Sequence, residues 1–157
     1  MKELLDTWSS IYANHGGLRT SVSFLHVGGL LIGGGCAVAS DFAVLAATRA
    51  RTVAAWAEFQ VPDRTHRLVV AGLLALFVSG MLLFAADVDT FWHSRVFWLK
   101  MGLVVLLLAN GVLLLVAERQ LQLGHPRGFT RLRNTACASL ALWLATTLAG
   151  AALPNIG

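Results

Sequence analysis

Few side chains in this sequence can do chemistry, and most of those sit inside or at the edges of long apolar runs. His26 lies in the charge-free run Ser21 to Ser40, just before Gly28 and Gly29 and ahead of Gly33, Gly34 and Gly35. A neutral imidazole offers one ring nitrogen as a metal ligand, and the other then needs a partner to hold it. Ser23 or a backbone carbonyl is the expected partner. Haem iron takes His, or His with Met, as axial ligands. His93, Met81 and Met101 are the other nitrogen and sulfur donors near the same level. Lys100 adds a cation suited to a haem propionate or a quinone oxygen, or to snorkelling toward headgroups.

Depth follows from the 1.5 Å rise of an α-helix. His26 is seven residues past Arg19, about 10 Å below that charged edge. Met81, six residues before Asp87, and Met101, six after Arg95, both come out about 9 Å deep. His93 stands at the edge itself. These residues can converge on one site in the outer half. His66, beside Arg67, and His125, beside Pro126, belong to the opposite side. His26 and His66 differ in depth by roughly 20 Å, so they cannot share one iron. A second site through His66 and His125 has little to recommend it. Gly29 and Gly33 form a small-xxx-small pair that admits either a neighbouring helix or a flat cofactor.

Asn110 falls near mid-membrane and predicts an interhelical hydrogen bond. Asp41, at the inner end of its run, predicts a pairing with Arg64 or Arg67. Cys36 and Cys137 are too few for a disulfide framework and read as small apolar residues. There is no Ser-His-Asp set, nucleophile elbow, phosphate loop or HExxH motif. Any catalysis would be redox chemistry on a bound cofactor.

The elements that must position these residues are plain in the composition. The chain has 157 residues, 57% apolar and 13% charged. Soluble domains carry about 25% charged residues, so this is the composition of a membrane protein. The net charge of +4 comes from basic residues spread between apolar runs, which argues against nucleic-acid binding. Four apolar runs predict transmembrane helices at about 21–41, 67–87, 95–117 and 133–153, since ~20 apolar residues cross the hydrocarbon. The runs lack the period-2 alternation of a barrel. The expected fold is all-α: a four-transmembrane-helix bundle, one integral membrane domain over residues 1–157.

Leu4, Leu5, Trp8, Ile11 and Tyr12 fall at helical spacing and predict a short N-terminal amphipathic helix on the outer surface. Glu3 and Asp6 argue against a signal peptide. The Ala-rich stretch Asp41 to Gln60, with Trp56 and Phe59, predicts a helical extension or a surface helix ended by Pro62. Phe91, Trp92, Phe97 and Trp98 read as an interfacial aromatic belt. Gly124, Pro126 and Gly128 mark a loop. Arg49, Arg51, Arg64, Arg67, Arg119, Arg127, Arg131 and Arg133 share one side, against Lys2, Arg19 and Arg95 on the other. The positive-inside rule puts the larger set in the cytoplasm and both termini outside.

Three stretches together resemble a known group. They run from His26-Val27-Gly28-Gly29 to Asp41-Phe42-Ala43-Val44-Leu45, from Ala71-Gly72 to Ser79-Gly80-Met81-Leu82-Leu83-Phe84, and from Phe97-Trp98-Leu99-Lys100 to Asn110. The chain resembles a bacterial family of small four-helix inner-membrane proteins without an assigned activity. That family is distantly similar to the CopD copper-resistance proteins and to transmembrane b-type cytochromes. The resemblance covers roughly residues 20–120, on the pattern of His26, Asp41, Phe97, Lys100 and Asn110. Phe42-Ala43 departs from the family's Leu-Arg after the Asp, and His66-Arg67 from its early Pro. The resemblance implies the architecture and the importance of His26, and no reaction.

Three functions follow as expectations. The first is a b-type haem protein in electron transfer, with His26 as one axial ligand and His93 or Met81 as the other. Its partners would be the bilayer and a membrane redox partner or quinone. The second is a copper-handling protein using His26, His93, Met81 and Met101, since thioether and imidazole suit Cu(I). The third is a cofactor-free accessory subunit packing through its glycine face. A homo-oligomer is compatible with each.

Overall fold

A computed structural model describes residues 2–50, 63–125 and 127–156. Every regular element among them is helical: α1 (Lys2–Asn14), α2 (Gly16–Gly29), a π-helical turn (Leu30–Gly34), α3 (Gly35–Ala50), α4 (Asp63–Ala86), α5 (Val88–His93), α6 (Arg95–Gln122) and α7 (Gly128–Ile156). Four helices are long and apolar enough to cross a membrane: Gly16–Arg49, Thr65–Ala86, Arg95–Gln122 and Gly128–Asn155. They are apolar all round. Phe77, Val105, Val112, Leu144 and Leu148 are each more than half exposed. A helix without a polar face suits a large core or a lipid surround.

The helices outrun the apolar runs that announced them. The first continues to Arg49, the third to Gln122, and the fourth begins at Gly128. The reason is that backbone bonding carries on past the apolar stretch, since charged residues such as Glu118 and Arg119 are good helix formers. The described part of the Ala-rich stretch, to Ala50, extends the first helix. Trp56, Phe59 and Pro62 lie outside the described residues, as does Pro126.

Packing divides the chain into two compact units, one of Met1–Cys36 with Asp63–Ser94 and one of Ala37–Pro62 with Arg95–Gly157. In the first unit, α2 and the π-turn pack along α4, and α1 docks on α4. The inward stripe of α1 is half-buried Leu5, Trp8 and Tyr12. Trp8 Nε1 donates to the Leu82 carbonyl at 3.0 Å and Ser9 Oγ to the Ala86 carbonyl at 2.8 Å. The last four carbonyls of a helix have no intrahelical donor, so Ser9 caps the end of α4 at Ala86 and Trp8 adds a second bond to the Leu82 carbonyl. Asp87 then caps α5, its carboxylate accepting from Thr90 N–H at 3.3 Å.

In the second unit, α6 and α7 form a tight hairpin. Gly124, at φ 74°, takes the left-handed conformation that ends α6. Its N–H donates to Leu121 O, and His125 N–H to Gln120 O, both at 3.0 Å. That is the Schellman pattern, in which glycine closes the helix. The two helices then run antiparallel. Gly128 packs on Leu121, and Gly150 lies beside the Lys100 side chain. Val44 and Ala47 of α3 join Ala117, Leu121, Leu132 and Ala136 in one buried cluster.

Asn110 is buried, and its amide donates to the Thr135 carbonyl at 2.9 Å, joining α6 to α7. Asn110→Leu removes that bond while keeping the volume. It is expected to cost about 0.6–2 kcal/mol, read as a lower thermal midpoint in detergent with helicity unchanged.

Candidate functional site

His26 sits half-buried on α2 and faces α4. Its Nδ1 lies 2.9 Å from Ser79 Oγ. Ser79 is fully buried, and its hydroxyl donates to the Ala75 carbonyl at 2.5 Å. A serine hydroxyl has one proton. Because that proton goes to Ala75, the Ser79 oxygen accepts from His26, and Nδ1 carries the ring hydrogen. In the neutral ring the lone pair is therefore on Nε2. This is the tautomer in which a histidine binds metal through Nε2 with its other nitrogen held.

The partner is Ser79, on another helix, and not Ser23 or a backbone carbonyl. Ser23 is exposed on α2. The same depth arithmetic finds Ser79. It lies eight residues before Asp87, about 12 Å from that edge, close to the roughly 10 Å of His26.

Glycines bring the two helices together. A Cβ placed on Gly33 would stand 2.9 Å from Gly72 Cα, and one on Gly29 would stand 3.0 Å from Gly72 O. Gly29 and Gly33 therefore admit the neighbouring helix, and this backbone-to-backbone crossing leaves no slot for a flat ring between α2 and α4. The π-turn falls at the crossing, where Gly33 and Gly34 are buried. A π-turn widens the helix locally and is common at functional sites. Above the crossing, Gly80 is the floor beneath the imidazole, with its Cβ position 3.6 Å from His26 Cε1.

A shallow groove beside this contact is lined by Arg19, Thr20, Ser23, Phe24 and Val27 of α2. Arg19 stands two turns from His26 at the end of the helix. His93 is exposed on α5 and holds its Nδ1 2.8 Å from the Asp89 carbonyl. A carbonyl only accepts, so His93 has the same Nε2-ligating tautomer. So has His15, whose Nδ1 lies 2.9 Å from the Ile11 carbonyl. His15 follows an amphipathic helix and not an apolar run, so hydropathy carries no signal for it.

Met81 is 58% exposed and two residues past Ser79, about 200° round the helix from the face that meets His26. His66 and His125 are exposed. Lys100, Met101, Asn110 and Asp41 belong to the second unit. Lys100 is half-buried with its amine beside Gly150. Asp41 is 2% exposed, and the Ser139 hydroxyl faces its carboxyl. Arg64, one of its two expected partners, has its side chain outside the described residues. Cys36 and Cys137 are not joined in a disulfide.

Among the described residues, no three His, Cys, Asp or Glu side chains gather closely enough to hold a metal ion. Comparison of the chain with family models, curated proteins and solved structures found no match. The class is thus defined by the molecule alone: a chain whose described regular elements are all helical, with four helices able to span a bilayer and a fixed imidazole at a glycine crossing.

Proposed function

We propose that the chain is a four-helix protein of the bacterial inner membrane that binds haem b through His26 and transfers electrons with a membrane redox partner or quinone. Eight Lys and Arg residues on one side against three on the other support cytoplasmic loops and external termini. The observation that carries the haem reading is the fixed tautomer of His26, with Ser79 on Nδ1 and the lone pair on Nε2.

The donor set fits haem better than a bare metal ion. A copper centre needs several protein ligands together, and the described residues hold no such His, Cys, Asp or Glu group. Met81 also lies on the far side of α4 from Ser79. Haem brings four nitrogens of its own and asks the protein for only one or two axial ligands. His26 supplies the first, and His93 of the same unit is the candidate for the second; His15, 11 residues before His26 at the start of the same helix and about 16 Å from it, is too far to share the iron. Gly80 lies against the imidazole, and Arg19, seven residues before His26 and so on nearly the same face of α2, is the cation for a propionate. When bound, the haem supplies a one-electron couple. The protein holds the ligand, sets its basicity through Ser79 and excludes water with apolar side chains.

Titration of haem into the detergent-purified apoprotein tests this. A saturable Soret shift at one haem per chain is expected, and no saturable change contradicts it. Ser79→Ala is expected to weaken haem binding by about 10–100-fold, the usual effect of losing a ligand's outer partner. It should leave helicity intact.

One observation favours a second reading, a cofactor-free membrane subunit. The His26–Ser79 bond already joins α2 to α4 and satisfies Nδ1 as a donor, as structural glue would. On that reading His26→Ala changes assembly with partner chains and leaves the spectrum untouched.

A further inference from the structure

The turn end of the α6–α7 hairpin carries arginines that the haem reading does not use. Gly128 packs on Leu121. That contact fixes the antiparallel register and puts Arg131 of α7 within one residue, about 1.5 Å, of the level of Arg119 on α6. Both side chains are exposed. Arg131 Nη1 donates to Gln120 Oε1 at 2.6 Å. The acceptor is a neutral amide, so it holds the guanidinium beside α6 without cancelling its charge. The other N–H donors of the planar fork are left for a further acceptor. Arg127 stands exposed one turn before Arg131, whose N–H donates to the Arg127 carbonyl at 3.1 Å. Glu118 is about 160° round α6 from Gln120 and so on the far side of the helix from this contact.

The surface below these arginines is apolar and open. Val116 lies three residues before Arg119 and four before Gln120, which puts it one turn below both on the same face of α6. Val112 is a further turn down, about 10 Å from the level of Arg119. Val112 is 61% exposed and Val116 45%. The face is thus two cations at one level on adjacent helices, above an apolar column that runs into the span. A solvated basic face attracts any anion by charge alone. The column adds a second requirement, which a nucleic acid or a free phosphate does not meet. A phospholipid meets both, with its phosphate at the arginines and an acyl chain on the valines.

We propose that this face binds the headgroup of an anionic phospholipid, its phosphate held between Arg119 and Arg131 and one acyl chain lying along Val116 and Val112. Guanidinium suits that headgroup, because its parallel N–H groups meet two phosphate oxygens at once. Basic pockets between membrane helices bind such headgroups. Arg127 adds charge at the rim. Gln120 is a positioning residue that aims the Arg131 fork. The site rests on α6 and α7 crossing a bilayer and needs neither His26 nor haem.

The test is native mass spectrometry of the full chain in mild detergent, titrated with dioleoyl phosphatidylglycerol or with zwitterionic dioleoyl phosphatidylcholine, which counts lipids per chain. One phosphatidylglycerol is expected to bind about tenfold or more tighter than phosphatidylcholine, since each basic residue near a headgroup adds severalfold. Arg119→Gln combined with Arg131→Gln should bind the two lipids alike. Gln120→Ala should lose part of the preference at unchanged helicity. Arg131→Lys, which keeps the charge but not the fork, should retain part of it. Arg95→Gln removes an exposed cation at the opposite end of α6 and should keep the full preference. Glycerol 3-phosphate in excess, the anion without acyl chains, should not displace the lipid. A wild type that binds both lipids equally overturns the proposal, as does full preference in a folded double variant. An equal loss in Arg95→Gln would reduce the effect to net charge, and displacement by glycerol 3-phosphate would make the face a site for soluble anions; either result also overturns it.

Discussion

His26→Ala is expected to abolish haem binding while leaving a folded, monodisperse protein. If Ser79, which only holds the ligand, is worth about 10–100-fold, the ligand itself should be worth at least the upper end of that range. The structural cost is small by comparison. The substitution removes one interhelical hydrogen bond, about 0.6 kcal/mol on average in membrane helices. The close crossing one turn away does not depend on the imidazole. Haem per chain, measured as the pyridine haemochrome after purification from haem-supplied cells, should drop to background. His93→Ala then tests the opposite ligand and should convert a low-spin spectrum to high-spin. His15→Ala, about 16 Å from His26 along the same helix, is the control and should leave it unchanged.

Gly72→Ala should be the most damaging single methyl in the protein. A Cβ there meets Gly33 Cα and N, and Gly29 O at 2.9 Å. These are backbone atoms, so no side chain can rotate away, and α2 must separate from α4. Overpacking by one methylene costs about 1–3 kcal/mol where side chains can adjust, and a backbone clash belongs at or above the top of that range. At the roughly 2–4 °C per kcal/mol of a chain this size, the thermal midpoint should fall by about 6–12 °C. Gly28→Ala is the control. Nothing lies within 4 Å of a Cβ at that position, and alanine is the better helix former, so its midpoint should stay level or rise slightly. Since the crossing holds Ser79 level with His26, Gly72→Ala should also lower haem affinity, whereas Gly28→Ala should not.

The helices were legible because a run such as Leu68 to Ala86 can satisfy its backbone in an apolar medium only as a helix. Their ends were less legible, because hydropathy records where the surroundings change and not where backbone bonding stops. The short helix Val88–His93 was hidden by its length, although an aspartate such as Asp87 is a favoured N-cap. For the site, the sequence pointed to His26 and Gly29–Gly33 but not to what they touch. Ser79 and Gly72 sit on another helix, and the sequence does not print the register between helices. Depth counted from Arg19 and Asp87 narrows that register to about one turn, enough to propose Ser79 but not to settle it. Asp41 shows the converse limit. Ser139 of α7 neighbours its carboxyl, a contact that no spacing in the sequence marks, while the side chain of Arg64, an expected partner, lies outside the described residues.

The most direct test of the central claim is the dithionite-reduced minus oxidised spectrum of the protein purified in mild detergent from haem-supplied cells. A sharp Soret difference with resolved α and β bands, at one haem per chain and absent in His26→Ala, is the predicted result. A featureless difference spectrum from protein shown to be helical and monodisperse would contradict haem ligation and leave His26 as a hydrogen-bonding strut between α2 and α4.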